Sequence, residues 1–139
     1  MISELESQED FRRLFTIFNE IWGAETLSEL ISSLQNTKCA LAKSDTNEVV
    51  GYVFYDQDER GFTEITDFGI DPNFRGLGYG ADLIVFVCAI STEVRLSVKE
   101  DNMAARQLYE KIGFKEIQRI ENYYGVGFDG LRMEWKKEV

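Results

Sequence analysis

The chain has 139 residues, 44% of them hydrophobic, and one proline, which suits a single globular domain over 1–139 with a real core. With 15 basic and 25 acidic residues its net charge is −10; that opposes nucleic-acid binding and either attracts cations such as amines or simply keeps the protein in solution. There is no histidine, so histidine-based triads and most zinc sites are excluded, and Cys39 and Cys88 lack metal-ligand spacing and read as reduced core residues of a cytoplasmic protein.

The acidic start, MISELESQEDF, lacks the basic-then-apolar layout of a signal peptide, and no apolar run reaches the length of a membrane span. Met1 to Leu5 admits a short first strand. Ser7 can cap a helix, with Asp10 facing the positive end of its dipole. Phe11, Leu14, Phe15, Phe18, Ile21 and Trp22 then fall at helical spacing until Gly23. Phe18 and Trp22 read as core, with a substrate-lining place for Trp22 as the alternative. Leu27, Leu30, Ile31 and Leu34 make a second, short amphipathic helix.

Cys39 to Ala42, Val49 to Tyr55 and Phe62 to Ile70 read as an antiparallel meander joined by polar turns. Ala81 to Ile90 is apolar nearly all round, which predicts a buried helix. A strand over Val94 to Val98 and a helix over Met103 to Ile112 follow. Asn102 can cap that helix, and Gly113 suits a left-handed stop. Phe114 to Ile120 and Leu131 to Trp135 close the chain as two strands. Strand-helix-strand in the middle and hairpins on either side predict a mixed α/β sheet.

The stretch from Phe62 to Gly80, FTEITDFGIDPNFRGLGYG, is strand, glycine loop, then helix. Glycines allow a tight turn and close backbone approach, and the first turn of a helix offers unpaired N–H groups to an anion such as pyrophosphate. Taken alone, Gly76, Gly78 and Gly80 serve equally as a flexible turn. The P-loop and the dinucleotide fingerprint do not fit this spacing. Arg75-x-x-Gly78-x-Gly80, however, resembles the pyrophosphate motif of the GNAT superfamily of N-acetyltransferases. Asn102 to Phe114, NMAARQLYEKIGF, resembles that family's second motif, so the resemblance covers roughly Val49 to Met133.

The resemblance implies a GNAT fold, a mixed twisted sheet whose two central parallel strands splay to take the pantetheine arm of acetyl-coenzyme A. No metal is implied. The backbone from Gly76 through Leu77, Gly78, Tyr79 and Gly80 to Ala81 would cradle the pyrophosphate, with Arg75 more often bracing the loop. Backbone groups of Phe68, Gly69 and Ile70 would line the pantetheine and polarise the thioester carbonyl. Asn102 would bond the cofactor or a water, or else serve only as the helix cap. Tyr109 would be the general acid for the leaving thiolate. Glu64, in a Phe-Thr-Glu-Ile stretch, would be the general base or else an ordinary strand residue, with Asp67 on the other face. Asn122-Tyr123-Tyr124 followed by Asp129-Gly130-Leu131-Arg132-Met133 resembles the tail of the protein N-terminal acetyltransferases, where Tyr123 and Tyr124 would wall the peptide groove.

Two departures from that pattern stand out. Gly130 replaces an alanine, a minor change, and Ser97 stands where the bacterial ribosomal-protein enzymes carry a catalytic glutamate. Cys88, on a buried helix, is a poor nucleophile. The implied activity is direct acetyl transfer to a primary amine in a ternary complex, the acceptor being a protein N-terminus or a small amine such as a polyamine. The alternative is a non-catalytic acetyl-coenzyme A-binding module. A monomer or a homodimer is expected.

Overall fold

Apolar alternation and capping residues turn into strands and helices much where their spacing predicts. A computed structural model describes residues 1–23 and 27–138. In chain order they form β1 (Ile2–Ser3), α1 (Gln8–Trp22), α2 (Leu27–Asn36), β2 (Lys38–Lys43), β3 (Val49–Gln57), β4 (Phe62–Ile70), a short 3₁₀ turn (Pro72–Phe74), α3 (Tyr79–Ala89), β5 (Glu93–Lys99), α4 (Met103–Ile112), β6 (Lys115–Ile120) and β7 (Gly130–Lys136). The seven strands lie in the order β1-β2-β3-β4-β5-β7-β6. β4 and β5 pair in parallel, while β1–β2, β2–β3, β5–β7 and β6–β7 pair antiparallel. The expected mixed α/β sheet is therefore present, with the last strand inserted between β5 and β6.

The chain divides into two compact units, residues 1–56 with 66–86, and residues 57–65 with 87–139. In the first, Leu14, Ile17 and Phe18 of α1 and Leu30 of α2 pack with Leu41, Val49, Tyr52 and Phe54. The Phe18, Tyr52 and Phe54 rings stand 5.1–6.2 Å apart at tilted angles, the geometry aromatic quadrupoles favour. Two glycines tighten this unit. A Cβ on Gly51 would lie 2.5 Å from Ile70 Cδ1, and one on Gly69 would lie 2.5 Å from Ile21 Cδ1 and 2.8 Å from the Tyr52 ring. Trp22, expected in the core, is instead 57% exposed.

The start of α1 is fixed by charge as well as by its cap. Ser7 accepts from the Asp10 amide, and the Asp10 carboxylate accepts from the Glu6 amide and meets Lys43 Nζ at 3.1 Å, both side chains being buried.

In the second unit Val94, Leu96 and Val98 of β5 stand in register with Trp135, Met133 and Leu131 of β7. Gln57 Nε2 lies 3.0 Å from Thr63 Oγ1, 2.8 Å from the Ile90 carbonyl and 3.2 Å from Ser91 Oγ, a polar knot at the start of β4. The helix expected over Ala81 to Ile90 begins earlier, at Tyr79. It is not buried all round: Leu83, Ile84, Val87 and Cys88 are inside, but Val85 is half exposed. No described helix is long and apolar enough to cross a membrane.

The Asp10–Lys43 pair gives a direct stability test. Burial alone would raise the Asp10 carboxyl, but the Glu6 amide, Lys43 and Ser7 together hold it below its ordinary value. Its contribution is therefore present above the unfolded carboxyl range, near pH 3.8, and is lost as pH falls through the lowered native value. Asp10→Ala leaves Lys43 buried without a partner, and urea unfolding at pH 7 should show a loss of about 3–5 kcal/mol.

Candidate active site

In the first unit, Asp71 shapes the chain as it leaves β4. One carboxylate oxygen accepts from the Asn73 amide at 2.9 Å, and the other meets Arg13 Nη2 at 2.8 Å. Arg13 also donates to the Val49 carbonyl, which ties α1, β3 and the loop together. Phe74 and Tyr79 meet edge to face at 6.3 Å across the loop ends. Between them Gly76 and Gly78 adopt φ of +77° and +92°, and nothing lies within 4 Å of where a Cβ would sit on either. Those angles suit glycine and disfavour every side-chain-bearing residue.

The Asp82 amide donates to the Gly78 carbonyl, opening α3. Among the described residues, the amides from Gly76 to Ala81 donate to no other backbone or side-chain group. These are the orphan donors of a helix start, set on an open loop. Arg75 is exposed and makes no ion pair or hydrogen bond among the described residues, so it does not brace the loop as expected. The N–H groups, the open cradle and the unpaired guanidinium fit a pyrophosphate.

The β4–β5 ladder pairs Phe62 with Glu93, Thr63 with Val94 and Glu64 with Arg95 in parallel. Beyond these rungs β4 runs on through Phe68 and Gly69 to Ile70. One amide there is already engaged. The Phe68 N–H, expected to face the pantetheine or thioester, donates to Asp67 Oδ1 at 2.7 Å. Gly69 is buried and Ile70 half-buried.

The second unit holds the other expected residues. Glu64 is not a free strand carboxylate, although its side chain is 41% exposed. Its oxygens accept from Arg132 Nη1 and Nη2 at 2.9 and 2.7 Å, and Arg132 Nη1 also donates to Ser97 Oγ at 2.8 Å. Glu64 registers with Arg95, Ser97 lies two residues further along β5, and Ser97 registers with Arg132, so the three share one face. Where the resemblance implies a glutamate, this chain has Ser97 joined to a guanidinium–carboxylate pair. The Glu64 bond pushes Arg132 up and keeps its charge fixed.

Tyr109 is buried on α4 with its ring 5.7 Å from Phe114. Burial, with a smaller push from Tyr124, raises its phenol to about 12. Its hydroxyl has no hydrogen-bond partner among the described residues. Asn102 takes the capping role, its Oδ1 accepting from the Ala105 amide at 3.2 Å; its amide nitrogen stays available as a donor.

The loop after β6 is closed by its own hydrogen bonds. Asn122 Oδ1 accepts from the Gly127 amide, Asp129 Oδ1 from the Asn122 amide, and the Tyr124 amide donates to the Phe128 carbonyl. This frame presents Tyr123, Tyr124 and Phe128 to solvent, with Lys99 Nζ 5.9 and 5.5 Å from the Tyr124 and Phe128 rings. The glycine at 130 is more than a minor change: a Cβ there would lie 2.9 Å from Tyr123, so Tyr123 takes the room an alanine methyl would need. Arg132, Lys99 and Phe128 were not marked by spacing. Only the position of Arg132 inside the tail motif pointed toward it.

The sequence matches the profile of the Acetyltransferase (GNAT) family over residues 6–114. Over 135 residues it is 30% identical to the ribosomal protein bS18-alanine N-acetyltransferase of Haemophilus influenzae, covering 89% of this chain and 87% of that protein. In fold it is similar to the crystal structure of the ribosomal-protein-S18-alanine N-acetyltransferase from Escherichia coli, with TM-score 0.83 and 19% identity over 100% of this chain and 94% of that one. It is also similar to an aminoglycoside 6′-N-acetyltransferase solved with coenzyme A, with TM-score 0.79 and 16% identity over 98% and 96% of the two chains.

The loop separates handedness from packing, because Gly78 has open space but a positive φ. Gly78→Ala should raise the Kd for coenzyme A by about tenfold, equivalent to 1.4 kcal/mol, while the melting temperature moves by only a few degrees. Calorimetric titration and a thermal melt on the same sample check this.

Proposed function

Since the chain belongs to the acetyltransferase (GNAT) family and is an N-acetyltransferase, we propose that its acceptor is the amino terminus of a protein, held against the loop that carries Tyr123, Tyr124 and Phe128. The observation that carries this reading is that loop. It is braced by its own polar contacts and offers rigid aromatic faces, the equipment for gripping an extended peptide. The likeness to a ribosomal-protein alanine acetyltransferase over 89% of this chain supports it.

Acetyl-coenzyme A supplies the acetyl group as a thioester. The amides from Gly76 to Ala81 and the charge of Arg75 hold the pyrophosphate. The backbone of β4 from Phe68 to Ile70 receives the pantetheine amides as a peptide would be received, by strand addition. Tyr109 donates its proton to the departing thiolate as the amine nitrogen bonds to the carbonyl carbon and the carbon–sulfur bond breaks, and the surplus proton of the new amide nitrogen returns to the phenolate. No acyl-enzyme is formed. Both cysteines are free, and burial pushes each thiol up to about 12, which suits a reducing, cytoplasmic setting.

Glu64 is the base the resemblance assigns, but its two oxygens are held by Arg132. To take a proton it must surrender a charge-assisted bond. In this reading it positions Arg132 and Ser97 instead.

Four measurements test the proposal. In a thiol-release assay, a peptide with a free N-terminal alanine should exceed both an N-blocked lysine peptide and spermidine in kcat/KM by about tenfold or more; preference for spermidine overturns the peptide reading. Tyr109→Phe should lower kcat by about a hundredfold with coenzyme A affinity within about twofold. Because the Tyr109 phenol is pushed up to about 12, the wild-type rate should show no descending limb through pH 10. Glu64→Gln should leave the acidic limb in place; a displaced limb returns Glu64 to the role of base.

A further inference from the structure

Buried charge in this chain is matched almost everywhere. Every described Asp or Glu that is not exposed has a Lys or Arg within 3.2 Å, save one. Asp10 has Lys43, Asp71 has Arg13, and Glu64 has Arg132. The exception is Asp67, half-buried on β4. Its neighbours are neutral donors: the Phe68 amide at 2.7 Å on Oδ1 and the Tyr52 hydroxyl at 3.1 Å on Oδ2. Behind Tyr52, whose ring is fully buried, the Trp22 indole N–H donates to the Tyr52 oxygen at 3.2 Å.

A carboxylate taken from water without a counter-ion is costly, and proteins ordinarily pair it. Here burial pushes the Asp67 carboxyl up, and the bonds from Phe68, Tyr52 and Trp22 offset that only in part. Such an imbalance is typical of groups that meet a ligand.

The surroundings choose the ligand. Hydroxyl, indole and amide N–H groups donate, so they cannot complete a metal's oxygen shell. A guanidinium prefers to take both oxygens of a carboxylate at once, yet one is used by an amide and the other by a phenol. An ionised carboxylate has about four accepting sites, so each oxygen keeps room for a single point-like donor. Trp22 is 57% exposed and presents the best of the aromatic faces to a cation.

We propose that Asp67 and the exposed indole of Trp22 form the docking site for the ammonium group of the acceptor. This rests on the acceptor being an amine and not on which amine it is. The docked ammonium brings the cation the carboxylate lacks. One of its three protons then passes to Asp67, leaving a neutral amine and a neutral carboxylic acid, with the nitrogen lone pair free to attack.

The test reads binding and needs no turnover, so it is separate from the search for the acceptor. Tryptophans stand only at Trp22 and Trp135, and Trp135→Phe leaves Trp22 as the sole reporter. Titration of that protein with n-butylammonium chloride should change the Trp22 emission saturably, while n-butanol and sodium chloride at matched strength should not. In an Asp67→Asn background the apparent Kd for butylammonium should rise at least about tenfold. Coenzyme A affinity should stay within twofold and the melting temperature should hold or increase, since an uncompensated charge has been removed. Asp67→Glu should retain part of the response. An equal response to butanol or, in folded Asp67→Asn, an unchanged response or lost coenzyme A binding overturns the proposal. Should Asp67→Asn fail to fold, the wild-type contrast between butylammonium and butanol decides it.

Discussion

The unbonded amides from Gly76 to Ala81 sit where β4 hands over to α3, and much of what this chain can do follows from them. A backbone N–H must bond to something, and donors left open at a helix start are either solvated or put to use. The stretch of β4 past Glu64 leads directly into Asp71, the glycine loop and the first turn of α3. A strand thus runs into a set of unbonded amides. The two together suit a ligand with an amide-rich arm and an anionic end. Neither feature depends on a catalytic side chain, which is why the same scaffold can accompany different acceptors in its relatives.

Around that backbone the ionisable groups are held in fixed states. There is no imidazole to titrate near neutrality. Lys43 and two neighbours keep Asp10 ionised, Glu64 keeps Arg132 charged, and burial keeps Tyr109 protonated. A tyrosine with so firm a hold on its proton is a donor over the whole physiological range. Asp67 is the group left out of balance, and it lies beside Tyr52 and Phe68 in the unit that carries the glycine loop.

Local chemistry explains which parts could be read from the sequence. Glycine spacing, the Ser7 and Asn102 caps and the helical periodicities are determined by near neighbours, and they gave the helices and the loop, whereas the role expected of Tyr109 came only from the resemblance. The start of α3 was placed two residues late because Tyr79 and Gly80 carry no pattern that separates loop from first turn. Long-range partners were out of reach. Arg132 follows Glu64 by 68 positions, and nothing in Phe-Thr-Glu-Ile announces it. The place of β7 between β5 and β6 is likewise a matter of tertiary pairing that periodicity does not encode. Gly130 looked interchangeable with alanine until the Tyr123 ring was found against it.

The glycines of the first unit answer to two different demands. At Gly76 and Gly78 there is vacant space on every side, and the objection to a side chain is one of chirality. At Gly69 the objection is volume: one carbon would press on Ile21 and Tyr52. A mirror-image alanine installed by chemical synthesis would sit comfortably at Gly76 or Gly78, where φ is positive.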